Sequence, residues 1–567
     1  MGKRVSSIVM LMLLSSTISA DVRPYWVIFT DRGGINVGSE ISAKIASPLE
    51  PKAESRRARI LGKDKIFNET DLPVNENYIQ QVIDITDNLR TVSRTLNGIS
   101  VNLDEAMLKK IRALPFVKEV KSVARFRRPS KPEPVEAPKR GMRDEQKAYS
   151  YGNSLEQAAM IGVTKIHEFG YMGSGITIAV LDDGFDNLTH AAFDSITISH
   201  TRDFVFPGED LTGDDHGTQV LSVMAGLDQG NLIGMAPYAS YILARTEHPE
   251  FNYEYPIEED YWVAGIEWAD SLGVDIVNSS LGYTTFNDET GYTYQDLDGD
   301  TAVTTVVADA MAAKGIVVVT SAGNEGNSEW HYITTPADGD SVIAIGSINL
   351  FGTISSFSSR GPTYDGRIKP DFAALGEQVW VISSATQNSY LYVNGTSYSS
   401  PAVAGAVALL LEINPTWTPM KVRNELRLTA IDKGITGSDS TYGYGLVDAF
   451  TASGLEEPEP SITAFRVYDP YPQPIIFDSN NPFIFFPVDI PVSGRTLTIK
   501  IYTTAGEVVQ ILEEPMNSSG SFRDRGLETP KWDGTNFQGE NVAPGIYYYS
   551  VGLFGYQPHT GKIAVLR

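Results

Sequence analysis

Three short blocks of this 567-residue chain carry the side chains that turn a serine hydroxyl into a nucleophile: Val180-Leu181-Asp182-Asp183-Gly184, His216-Gly217-Thr218 and Gly395-Thr396-Ser397-Tyr398-Ser399-Ser400-Pro401. A serine hydroxyl is a poor nucleophile near pH 7 until an imidazole takes its proton. That imidazole in turn needs a carboxylate to set its tautomer and stabilise its charged form. A fourth block, Gly315-Ile316-Val317-Val318-Val319-Thr320-Ser321-Ala322-Gly323-Asn324, supplies a side-chain amide able to donate to an oxyanion. Together these groups suit acyl transfer.

The surrounding residues predict the elements that hold them. Ile176 to Leu181 reads as a short apolar strand with Asp182 at its C-terminal end, where open parallel sheets gather ligands and reactive groups. Adjacent strand side chains face opposite ways, so only one of Asp182 and Asp183 can reach the histidine. Val220, Val223 and Met224 sit at helical spacing and place His216 at a helix N-terminus, an end that disfavours permanent positive charge and suits a base neutral at rest. Pro401 to Leu411 is apolar all round and too short to cross a bilayer, which predicts a buried helix. Proline is tolerated in a first turn, so that helix is expected to begin near Ser397 with its free N–H groups directed at the hydroxyl. Ile316 to Ser321 is a β-branched strand that delivers Asn324 to the sheet's edge.

With these blocks in this order, residues from about 150 to 450 resemble the subtilase family of serine endopeptidases, whose chain order is Asp, His, Ser. Asn278-Ser279-Ser280-Leu281-Gly282 resembles the family's substrate-binding strand, and Phe357-Ser358-Ser359-Arg360-Gly361-Pro362 with Lys369-Pro370-Asp371 adds to the likeness. The resemblance implies that Asp182, His216 and Ser397 form a triad and that Asn324 serves the oxyanion. It also implies that Ser280, Leu281 and Gly282 pair with substrate backbone and wall the primary specificity pocket; motif alignment favours Asp182 over Asp183. The chain departs from the family at Gln219, Leu221 and Ser222, where His, Ala and Gly are usual. It departs again at Tyr398 and Ser399 after the nucleophile, in place of Met and Ala, and at Leu375 in place of a Pro.

The N-terminal region resembles a subtilase prodomain, which implies a folding assistant and transient inhibitor. Gly98 to Leu103 reads as a strand, Asp104 to Leu114 as a helix and Val117 to Val123 as a strand, with the segment ending near Phe126 lying across the active site. Met1-Gly2-Lys3-Arg4, the apolar run Ile8 to Leu14 and Ser19-Ala20 form a secretory signal, and export without a single cysteine suggests a bacterial protein. Beyond Leu455-Glu456-Glu457-Pro458-Glu459-Pro460, strands around Leu497 to Tyr502, Pro544 to Tyr549 and Gly561 to Val565 resemble the β-sandwich related to flagellar hook-capping Ig-like modules. Such tails imply a sorting or cell-surface partner.

The expected division is therefore signal 1–20, prodomain 21–126, processing linker 127–147, catalytic domain 148–454, acidic linker 455–461 and C-terminal sandwich 462–567. The fold class is α/β: a subtilisin-like, mostly parallel sheet with helices on both faces, plus the small α/β prodomain and the β-sandwich. A net charge of −25 gives no attraction to nucleic acid. The absence of cysteine rules out disulfides and thiolate metal sites. No cofactor is required and no metal ligand set is assigned; Asp296, Asp298 and Asp300 read as a capped turn rather than a calcium loop, because the later bidentate Glu is missing. The expected protein is a secreted, extracellular, prodomain-bearing serine endopeptidase acting on proteins or peptides. Its rival is a catalytically silent adhesion protein on the same scaffold.

Overall fold

Strand β1 (Arg23–Phe29) turns Trp26 to one face and Val27 and Phe29 to the other, and both faces are buried. It lies inside a four-stranded antiparallel sheet of order β2-β3-β1-β4, formed with β2 (Thr91–Ser93), β3 (Gly98–Leu103) and β4 (Val117–Ser122). Between β1 and β2 run two helices, α1 (Pro51–Leu61) and α2 (Glu76–Thr86), and α3 (Glu105–Arg112) follows β3. Val27, Ile99 and Val101 pack on Val82 of α2 and on Leu108 and Ile111 of α3. The opposite face sends Trp26 against Trp262, Val263 and Ile266.

The computed structural model describes residues 22–33, 49–123, 134–135, 149–208, 210–248, 256–284, 291–456, 464–477, 482–523 and 529–566. The expected signal 1–20, Phe126, most of the expected linker 127–147 and most of the expected hinge 455–461 lie outside them.

Seven parallel strands form the central sheet: β5 (Thr177–Asp182), β6 (Thr197–Asp203), β7 (Ser240–Arg245), β8 (Ile276–Ser279), β9 (Val317–Ser321), β10 (Ile343–Ile348) and β11 (Phe372–Leu375), in the order β11-β10-β9-β8-β5-β7-β6. Their side chains alternate between two cores. Ile178, Val180, Leu243, Ile276, Val317 and Val319 join helices α4 (His216–Ala225) and, later in the chain, α7 (Thr396–Ile413). Ala179, Leu181, Ala244, Val277 and Val318 join α5 (Pro256–Leu272) and α6 (Val303–Ala313). Burial on both faces is why the inner strands are rich in apolar residues, whereas the edge strand β6 is polar and largely exposed. Trp26 belongs to the second core, beside Trp262, Val263 and Ile266 of α5.

Helix α7 has the length and apolar composition of a membrane span but is 89% buried within the protein. It begins one residue before Ser397, and Pro401 is its sixth residue, beyond the first turn expected from sequence. The turn tolerates the proline because the carbonyl it leaves free finds another donor.

The chain divides into two compact units, Met1–Leu455 and Glu456–Arg567. The second is built on a five-stranded sheet in which Arg495–Tyr502 pairs antiparallel with both Val508–Met516 and Gly545–Leu553. Ile499, Val551 and Ile563 of that sheet share a core with Val488 and Ile490 of a three-stranded sheet. Tyr547 and Tyr549 point into this core while Tyr548 is exposed, so the tyrosine run follows strand alternation.

Candidate active site

Asp182 ends β5 and is fully buried. His216 opens α4, and its Nδ1 donates to Asp182 Oδ1 at 2.7 Å. Asp183 Oδ1 stands farther from the same nitrogen, at 4.0 Å, so of the two adjacent carboxylates Asp182 is the one bonded to the imidazole. A third, Asp214, accepts the backbone N–H of His216 at 3.1 Å. Burial alone would lower the His216 pKa, but the charges of Asp182, Asp183 and Asp214 raise it to about 9. The helix end therefore does not keep this imidazole neutral at rest, as its place in the sequence suggested. Three nearby carboxylates outweigh the partial charge of a helix terminus.

Ser397 lies in the first turn of α7 and is 5% exposed. Pro401 has no N–H, so the Ser397 carbonyl loses the partner four residues on. Ser280 Oγ fills the gap, donating to that carbonyl at 2.9 Å, and Ser397 Oγ donates back to the Ser280 carbonyl at 3.3 Å. This reciprocal pair fastens the end of β8 to the serine's helix. The Ser397 hydroxyl is thus bonded to Ser280 and not to His216.

Asn324 follows β9, and its Oδ1 accepts from Thr396 N at 2.9 Å and Thr396 Oγ1 at 3.0 Å. With the oxygen held by the helix start, Nδ2 is the donor left for a ligand among the described residues. Leu281 and Gly282 continue the Ser280 segment. Gly282 admits a close neighbour: a Cβ there would stand 2.1 Å from Thr334 Oγ1, and one on Gly323 would stand 2.7 Å from Thr334 Cγ2. Thr334 is 4% exposed, and its hydroxyl is among the buried groups without a hydrogen bond. Sequence reading missed this residue, for which nothing local in the chain is a signal.

Two departures from the family pattern meet. The fully buried Tyr398 donates its hydroxyl to Gln219 Oε1 at 2.6 Å, and its ring lies 5.9 Å from the His216 ring. Ser222 Oγ donates to the Gln219 carbonyl, and Ser399 Oγ donates to the Thr396 carbonyl at 3.0 Å. Tyr398, Gln219 and Ser222 are thus linked to one another, while Ser399 bonds within its own helix.

In the acidic turn, Asp296 accepts from Thr293 N and Oγ1, both at 2.7 Å, and Asp298 accepts from the Asp300 and Thr301 amides. These carboxylates are spent on capping. Among the described residues the grouping with metal-ligand spacing is Asp182, Asp183 and His216, whose ligand atoms lie within 4.8 Å; His216 Nδ1 is already engaged with Asp182.

Residues 173–445 match the Subtilase family, and residues 24–136 match the Peptidase S8 propeptide domain of Bacteroidota. Subtilisin E of Bacillus subtilis (strain 168) is 30% identical over 364 residues, 63% of this chain and 81% of that protein. Subtilisin of Bacillus pumilus is 34% identical over 305 residues, 52% of this chain and 97% of its own. Fervidolysin from Fervidobacterium pennivorans, a keratinolytic enzyme related to subtilisin, shares the fold with a TM-score of 0.54 at 22% identity, over 84% of this chain and 69% of that one.

Proposed function

We propose, since the chain belongs to the subtilase family of serine endopeptidases, that Asp182, His216 and Ser397 are its catalytic triad and that it works outside the cell on protein substrates. Ser397 Oγ attacks the peptide carbonyl, His216 Nε2 takes the hydroxyl proton, and Asp182 stabilises the imidazolium. The resulting oxyanion is held by Asn324 Nδ2 and the Ser397 N–H. His216 passes its proton to the leaving amine; water then attacks the acyl-enzyme by the same route and frees Ser397. Ser280, Leu281 and Gly282 run beside the substrate backbone and wall the pocket for the residue preceding the cut. No organic cofactor enters any step.

The observation that carries this reading is the 2.7 Å bond between Asp182 and His216 at the C-terminal edge of the sheet. Residues 21–126 act as the transient inhibitor, cleavage falls in 127–147, and residues 148–454 are the working enzyme. Residues 1–20 direct export, and 462–567, after the hinge 455–461, attach or sort the product. The test compares the secreted wild type with Ser397→Ala. The wild type is expected to start between residues 130 and 150 and to hydrolyse casein, whereas Ser397→Ala keeps its propeptide and does not. Identical N-termini formed at equal rates, with equal hydrolysis, overturn the assignment.

A further inference from the structure

Where α1 meets the C-terminal ends of α5 and α6, five charged side chains are buried together: Arg56 and Arg57 of α1, Asp71 beyond it, Asp270 of α5 and Lys314 after α6. Arg56 donates to Asp270 and, at 2.5 Å, to the Val274 carbonyl. Arg57 donates to Asp270 and, at 2.7 Å, to Asp71. Lys314 Nζ lies 3.2 Å from Asp71 and 3.4 Å from Asp270. At the rim, Lys52 and Arg59 both reach Asp275, at 3.1 Å and 3.5 Å.

Two left-handed glycines let the helix this close. A Cβ on Gly273 would stand 2.4 Å from Ala53 N, and one on Gly315 would stand 2.7 Å from Ile60 Cγ1. Burial would raise the Asp270 carboxyl, yet Lys314, Arg56 and Arg57 hold it well below the usual carboxylate range, so these ion pairs persist across ordinary pH.

This contact is far from the reacting groups. Lys52 bonds Thr177 at the start of β5, and Asp182 ends that strand five residues on. At about 3.3 Å per residue the two are roughly 17 Å apart. On separation Asp270 keeps Lys314 on the peptidase and Asp71 keeps Arg57 on the propeptide, while Arg56, whose partners Asp270, Val274 and Lys314 all lie on the peptidase, passes into solvent.

We propose that residues 49–72 are a second clamp of the propeptide, gripping the peptidase at Asp270, Asp275 and Lys314 and setting how long the cleaved propeptide stays bound. The partner this surface fits is the chain's own Arg-bearing helix. The proposal rests on the reading of residues 21–126 as an inhibitor. Two linked contacts hold far more tightly than either one, commonly by 10²–10⁴-fold, so loss of the clamp shortens retention of the cleaved propeptide.

The test follows the full-length chain after secretion, timing linker cleavage by mass spectrometry and activity with a chromogenic peptide. Wild type is expected to show a lag between the two. Arg56→Ala and Lys314→Gln are expected to cleave at the wild-type rate but to shorten the lag at least tenfold, with final kcat/KM within twofold of wild type. Should either variant fail to fold, Lys52→Ala with Arg59→Ala, at the half-exposed rim, is expected to shorten the lag severalfold. A lag unchanged in all variants overturns the clamp alone. Wild type active at the moment of cleavage overturns the inhibitory role and the clamp together.

Discussion

Asp183→Asn removes a charge 4.0 Å from His216 Nδ1 and leaves the 2.7 Å bond to Asp182 in place. His216 stands at about 9 against an ordinary 6.5, a rise worth about 3 kcal/mol. A unit charge pair at 4 Å in an effective dielectric of about 20 is worth up to about 4 kcal/mol before burial and solvent oppose it. Asp183 is one of three carboxylates sharing the effect, so its loss is expected to lower the His216 pKa by at least one unit, about 1.4 kcal/mol.

The base must be neutral to take the Ser397 proton, so activity follows deprotonation. In wild type kcat/KM is expected to climb through about pH 9; in the variant the limb moves to about pH 8 or below, and at pH 7 the variant runs about tenfold closer to its own maximum. Stability carries the opposite sign. The raised pKa contributes stability fully below about pH 6.5 that is lost as pH rises through about 9, and the variant has less of it to lose. The assay is kcat/KM for a chromogenic peptide on matured enzyme from pH 5 to 11. A limb that stays put or moves upward refutes the electrostatic reasoning.

Asn324→Ala is expected to cut kcat by about 10²–10³ with little change in KM, the range measured for removing one such donor in subtilisin; steady-state kinetics read both. Tyr398→Phe leaves Gln219 Oε1 buried without its donor, which costs about 1–3 kcal/mol and is expected to lower Tm by several degrees in calorimetry. Thr334→Gly clears the space against Gly282 and Gly323, and kcat/KM for a phenylalanine before the cut, relative to alanine, is expected to rise tenfold or more. A fluorogenic library varied at that position checks it.

The site was legible where reacting residues adjoin regular elements. Asp182 at the end of an apolar strand, His216 at the head of Val220-Val223-Met224 and Ser397 before the apolar run to Leu411 can each be placed from local pattern, and the sheet follows from the same strands. What stayed hidden depends on residues far apart in the chain. Tyr398 and Gln219 are 179 positions apart, and nothing near either one announces their bond. Pro401 looked confined to a first turn because Ser280, which satisfies the freed carbonyl, belongs to another strand. The raised His216 pKa is hidden for a similar reason: Asp183, 33 positions away and expected to face the other side of the strand, joins Asp182 near the imidazole, and the fields of converging carboxylates cannot be summed from sequence. Helix α1 escaped notice because its buried face is arginine rather than an apolar stripe.

In the proposed triad Ser397 is the nucleophile because His216 takes its proton. Matured, propeptide-free protein treated with a fluorophosphonate and digested for mass spectrometry is expected to carry one adduct, on Ser397, and to lose it in His216→Ala. A folded, propeptide-free protein that takes no adduct, or takes it on another serine, contradicts the account and leaves the silent adhesion scaffold standing.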